Sequence, residues 1–299
     1  MTHLRLHEWQ EQREAHRARV REFTSPTRAR LGRGESHPVD DFLVRYYRFS
    51  LGHLEEWHAG LGVALASPED ERELPPQKYY RRHGSAVALE PSILSDKELQ
   101  RIRWTADLLR ATAERPAVFH CHGLHEWAMV YQGGDIRHRE SAPLRLPQDE
   151  IDALVESRPI CCTHFDAFRF FAPAAQPLNR HQPTLWTREE NEQPGCIHTN
   201  MDLYKWAYKS MPWVGSDLLW ECFLFARTAR KIDMRASPYD LREWGYEPIC
   251  IETTEGRREY EAEQRGLAEA ARPLRAQLIE SLDKVLKIAH SEGSLTATT

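Results

Sequence analysis

The side chains best suited to chemistry gather in the middle of this 299-residue chain. His120 and His122 stand two residues apart, as do His164 and Asp166. On a β-strand that spacing turns each pair to one face of the sheet. The runs 117–122 and 160–171 read as short strands, and if they pair, His122, His164 and Asp166 converge. His198, just before a helix, can face the same cavity, and so can Asp202 in that helix's first turn. Imidazoles with a carboxylate suit Fe, Zn or Mn. One reading is therefore a metal-dependent hydrolase or oxidase of a small molecule, with His122, His164, Asp166 and His198 as ligands. Each of these groups could equally hydrogen-bond loop backbone in a proline-rich fold.

Seven of the fifteen histidines (His120, His122, His125, His138, His164, His181 and His198) fall between residues 120 and 202. Glu126 opens the helix that follows His122, one turn on. Lys205 and Trp206 share a helix with Asp202, and with Arg169 and Arg235 they are the candidate substrate or phosphate contacts. Arg230, Lys231 and Arg235 could hold an anion or simply complement the C-terminal end of their helix.

The elements that must position these groups are mostly helices. Residues 4–24 carry an amphipathic stripe of Trp9, His16, Val20 and Phe23, which Pro26 should end. A second helix follows Pro38 and buries Phe42, Leu43, Tyr46 and Phe49. Residues 60–92 read as irregular with a short hairpin. Ser95 and Glu98 form a capping box for a helix running to Pro116. Shorter helices start near Leu124, to end at Gly133-Gly134, and at 149–156. A long polar loop covers 172–195, and two helices follow, 199–211 and from Ser216 to before Pro238. Residues 246–252 suggest a strand, and 256–290 a helix broken at Pro273. The expected fold is α+β: one predominantly helical domain over 1–299, with a small mixed or antiparallel sheet. Its parts are a helical stretch 1–115, a strand-and-loop site region 116–200, and a helical stretch 201–290.

Composition narrows the function. A hydrophobic content of 41% is enough for a core, and no run of ~18 apolar residues suggests a membrane span. The polar N-terminus lacks a signal-peptide core. Six cysteines without a C-x-x-C pair suggest reduced thiols and a cytoplasmic setting. The chain has no G-x-G-x-x-G, phosphate-binding loop, H-E-x-x-H or G-x-S-x-G motif, which argues against dinucleotide enzymes, NTPases, zincin proteases and α/β-hydrolases. A net charge of −5 opposes strong overall attraction to nucleic acid while leaving room for a local basic groove.

Four runs carry a resemblance: His37-Pro-Val-Asp-Asp-Phe-Leu43, His164-Phe-Asp-Ala-Phe-Arg-Phe-Phe171, Met201-Asp-Leu-Tyr-Lys-Trp-Ala-Tyr208 and Asp233-Met-Arg-Ala-Ser-Pro-Tyr-Asp-Leu241. Across nearly its whole length the chain resembles an actinobacterial-type family labelled 3-methyladenine DNA glycosylase. That resemblance implies DNA repair: excision of an alkylated purine from damaged double-stranded DNA, with no cofactor. The base would be flipped into an aromatic pocket. One carboxylate would stabilise the developing sugar cation, Asp166 first, then Asp202 or Glu126.

Overall fold

The computed structural model describes residues 1–133 and 142–296; Gly134 and His138 lie outside the described residues. Eleven α-helices and one four-stranded sheet are described, and the fold is α+β and mostly helical, as expected.

The sheet belongs to the first 89 residues. Strands β1 (Thr2–Leu4), β2 (Val63–Ala66), β3 (Tyr80–His83) and β4 (Ala86–Leu89) lie in the order β1-β2-β4-β3. β1 is parallel to β2, and the other pairings are antiparallel. Alternation sets its faces: Leu65, Val87 and Leu89 join the main core, while Ala64, Ala86 and Ala88 form a small separate cluster. α1 (Leu6–Gly32) is tied to β2 by the Trp9 indole N–H, which donates to the Ala66 carbonyl at 3.0 Å.

α1 runs through Pro26 instead of ending there. A proline inside a helix costs about 3 kcal/mol, and here tertiary ion pairs hold the turns on either side. Arg21 and Arg28 reach Glu55, and Arg30 pairs with Asp41. Asp41 immediately precedes α2 (Phe42–Tyr47) and Glu55 ends α3 (Leu51–Glu55), the two helices into which the single second helix expected is split. The capping box is present at the start of α4 (Asp96–Glu114).

Next come α5 (Leu124–Met129), α6 (Gln148–Glu156), α7 (Phe165–Phe168) and α8 (Arg188–Asn191). Three expected strands are absent. Residues 117–122 and 246–252 are turns and extended chain, and 160–171 holds α7 with a lone bridge from Ile160 to Asn179. His164 is the reason for the last difference: its Nδ1 accepts the Ala167 N–H at 3.3 Å and caps α7. The loop at 172–195 is ordered by Asn179, which bonds Cys162 through both N–H and carbonyl.

α9 (Ile197–Lys209), α10 (Ser216–Arg235) and α11 (Thr254–Thr296) complete the fold, and α11 continues through Pro273 without a break. The neighbouring Arg275 is buried and donates to Asn200 on α9. α9 packs between α10 and α11 and is buried on every side from Ile197 to Ala207. Its polar residues must therefore find partners inside the protein.

Gly195, just before α9, lets the chain entering α5 approach closely. A Cβ there would sit 2.5 Å from the Val118 carbonyl oxygen and 2.8 Å from its nitrogen. Gly195→Ala is expected to destabilise the fold by roughly 2 kcal/mol through overpacking. A urea midpoint equal to that of the unsubstituted protein would show that the close approach is not needed.

Candidate active site

Two buried ionic networks meet on α9. The first joins α5, α9 and α10. His125 Nε2 donates to Asp233 Oδ1 at 2.7 Å, and Arg230 Nη1 donates to Glu126 Oε1 and Asp233 Oδ2, both at 2.7 Å. The His198 ring meets the His125 ring edge-on at 4.6 Å, and its Nε2 lies 3.8 Å from Asp233. Two basic groups thus face two carboxyls. Removing one partner from such a buried pair typically costs about 3–5 kcal/mol.

The other nitrogen of His125 faces a thiol. Cys121 Sγ lies 3.2 Å from His125 Nδ1. Cysteine, histidine and aspartate therefore stand in line, with nucleophile and base in hydrogen-bond reach and the base oriented by a third group. Burial pushes His125 down, but Asp233 and Cys121 outweigh it and hold the imidazole well above its ordinary value. Burial raises Asp233, yet His125, His198 and Arg230 hold it well below the usual carboxylate range. Glu126 is raised by burial against the pull of Arg230. Beside the triad is a tight cavity of about 10 Å³, with room for one water-sized group. Four of the six cysteines line it: Cys121, Cys161, Cys162 and Cys196. Three buried polar atoms lining it, Thr163 Oγ1, Tyr260 Oη and Gln264 Oε1, have no hydrogen-bond partner among the described residues.

The second network joins α7, α8 and α9. Asp202 accepts from Tyr47 Oη at 2.7 Å, from His164 Nε2 at 3.1 Å, and from Lys205. Lys205 also donates to Asp166 at 3.1 Å, and Arg188 pairs with Asp166. Burial raises Asp166, but Lys205 and Arg188 outweigh it and bring the carboxyl down to about 2. Asp166, Arg188, Lys205 and Trp206 open onto a cleft of about 350 Å³, whose far wall carries Arg101 and Trp104. The stacked rings of His164 and His198, 5.6 Å apart, join the two networks.

The sequence-derived candidates are divided among these places. Asp166, Lys205 and Trp206 share the cleft, with Arg169 at its edge 3.4 Å from Asp166. Asp202 and Glu126 are buried in different networks, and Asp202 does not line the cleft. Arg235 lies elsewhere, bonded to the Glu247 carbonyl and paired with Glu259. The ligand set His122, His164, Asp166 and His198 is not assembled. His122 lines a separate surface bowl, and helix α7 directs Asp166 to Arg188 while His164 binds Asp202. The ligand atoms that do converge, each set within 4.8 Å, are His125, Glu126, His198 and Asp233, and His164, Glu192 and Asp202. Each set already touches a basic side chain: Arg230 in the first, Arg188 and Lys205 in the second. Cys121 and Asp233 are not among the sequence-derived candidates; Cys121 lies in the turn before α5, and no local spacing points from it to Asp233.

Comparison of the chain with protein-family models, with curated proteins and with solved structures found no match. The functional reading therefore rests on the geometry of the site.

The histidines make stability depend on pH with opposite signs. Burial, with His125 nearby, depresses His198 to about 3, so between that value and an unfolded value of about 6.5 the unfolded chain binds the extra proton. Its contribution is complete above about pH 6.5 and declines as pH falls toward 3, by up to about 1.4 kcal/mol per pH unit. His58, lowered by burial to about 4, adds to the same limb. His125 is raised, so its contribution is complete below about pH 6.5 and is lost as pH rises through the folded value. Urea unfolding between pH 4 and 6.5 should give a shallower slope for His198→Asn. An unchanged slope would remove His198 as the titrating group.

Proposed function

We propose that the protein is a thiol-dependent enzyme, a hydrolase or transferase of a small electrophilic substrate, with Cys121 as nucleophile. The observation that carries the reading is the line from Cys121 Sγ to His125 Nδ1 at 3.2 Å and from His125 Nε2 to Asp233 Oδ1 at 2.7 Å. Asp233 orients the ring so that Nδ1 faces the thiol and favours the imidazolium, which carries the thiol's proton in the reactive pair. Arg230, itself bonded to Glu126, holds Asp233 in place. For an ester, the sulfur–carbon bond forms while His125 keeps that proton. The carbon–oxygen bond then breaks, and His125 returns the proton to the departing alcohol. Water attacks the thioester, giving one proton to His125, which passes it to the leaving sulfur.

p-Nitrophenyl acetate should release about one equivalent of p-nitrophenolate in a rapid burst, with acetyl recovered on Cys121. Cys121→Ala should abolish the burst, and His125→Asn should slow it roughly 10²–10⁴-fold, with circular dichroism confirming that each variant folds. Acylation that persists in Cys121→Ala, or spreads evenly over the six cysteines, would end this reading.

Two other readings have specific support. The convergence of His125, Glu126, His198 and Asp233 favours a metal-dependent hydrolase or oxidase using Fe, Zn or Mn. Stoichiometric metal after purification in metal-free buffer would favour it. The placement of Asp166, Lys205, Trp104 and Trp206 in one cleft favours the glycosylase reading drawn from resemblance. Against it, Arg188 and Lys205 already neutralise Asp166, and their charge repels a cationic alkylated base. Release of 3-methyladenine from alkylated duplex DNA, lost in Asp166→Asn, would favour it.

A further inference from the structure

We propose that a surface bowl beside the Cys121 centre is an anion-binding site, and that the substrate carries a carboxylate or phosphate held there. The bowl has a volume of about 280 Å³. His120, His122, Arg158, Arg180 and Arg257 line it with Pro159 and Cys161, and among the described residues no carboxylate lines it. This part of the inference rests on the thiol-enzyme reading; the anion site itself does not.

The bowl's charge is uncompensated. Most arginines on this surface pair with a carboxylate, but among the described residues none of Arg158, Arg180 and Arg257 has one within 4 Å. Arg257 is held in position by neutral acceptors, the carbonyls of Ile251 at 3.1 Å and Glu252 at 3.2 Å and Thr254 Oγ1 at 2.9 Å. Among the described residues, Arg158 has only the Ser157 hydroxyl, at 3.2 Å. Burial and the nearby Arg257 both disfavour its charged form. An anion between the two would relieve that repulsion. The His122 backbone adopts the left-handed region, with φ 45°, and its buried Nδ1 has no hydrogen-bond partner among the described residues. Glu261 is the nearby carboxylate that acts on His122. Guanidinium groups fixed this way match the oxygens of carboxylates and phosphates.

Position connects the bowl to the triad. His120 and His122 flank Cys121 in sequence, and Cys161 belongs to both the bowl and the inner thiol cavity. A substrate anchored by its anionic end in the bowl would direct a small electrophilic group past Cys161 toward Cys121. The inner cavity, with room for a single water-sized group, restricts what can enter.

The test separates the two claims. Calorimetric titration of Cys121→Ala with inorganic phosphate and with succinate should show saturable binding of at least one. The tighter of the two identifies the anionic group. Adding Arg180→Ala or Arg158→Ala should weaken that binding at least tenfold. In the protein with Cys121 intact, mono-p-nitrophenyl succinate should be preferred over p-nitrophenyl acetate, and Arg180→Ala should lower that preference at least tenfold. If neither anion binds saturably, or if both arginine variants bind as tightly, the bowl proposal is overturned. If anion binding is as expected but Cys121→Ala still turns over both esters, the anion site stands and the thiol reading and its substrate inference fall.

Discussion

Charge compensation inside a dry core is the constraint on which the rest of this structure depends. α9 is buried on all sides yet carries His198, Asn200, Asp202 and Lys205. Each of these groups loses water on folding, a loss that only a partner can offset. The partners come from α5, α7, α8, α10, α11 and the segment around Tyr47. The short helices α7 and α8 could not persist alone; Asp166 and Arg188 fasten them to each other and to α9. The networks thus act as a register, fixing which helix face meets which, while apolar burial provides the bulk driving force.

The same networks link the two candidate sites. From the cleft, the groups run Asp166, Lys205, Asp202 and His164, then His198, Asp233, His125 and Cys121. Hydrogen bonds or ion pairs join them except at His198, which stacks on His164 and lies 3.8 Å from Asp233 as a neutral ring. His198 is the neutral member between two charged groups of partners, because burial outweighs the attraction of Asp233. The groups at the two ends differ in what they offer. The cleft presents cations and tryptophans, and its carboxylate is already neutralised. The other end presents a thiol with a base behind it.

The long helices were legible because their apolar positions repeat at the helical period over three or more turns, as in α4, α9, α10 and α11. The prolines were misread. Pro26 and Pro273 disfavour a helix locally, but Glu55 and Asp41 around the first and Asn200 near the second supply contacts from remote sequence. The apolar run at 160–171 looked like a strand because Phe and Cys suit one, yet the His164 side chain caps a helix there. That single difference altered the site. Residues two apart share a face on a strand and diverge on a helix, so His164 and Asp166 joined different partners.

By itself, the sequence determined a mostly helical domain with a small sheet, and it gathered the candidate residues between 120 and 235. It offered Cys121 and His125 only as residues four apart, with Cys121 on an expected strand. Only the tertiary structure decided that Asp233, 108 residues further on, stands behind His125, and that Arg230 holds it there. It alone brought four scattered cysteines to one cavity and three unpaired arginines to one bowl. The reason is physical: which buried charges meet depends on the packing of whole helices, and no local pattern encodes it.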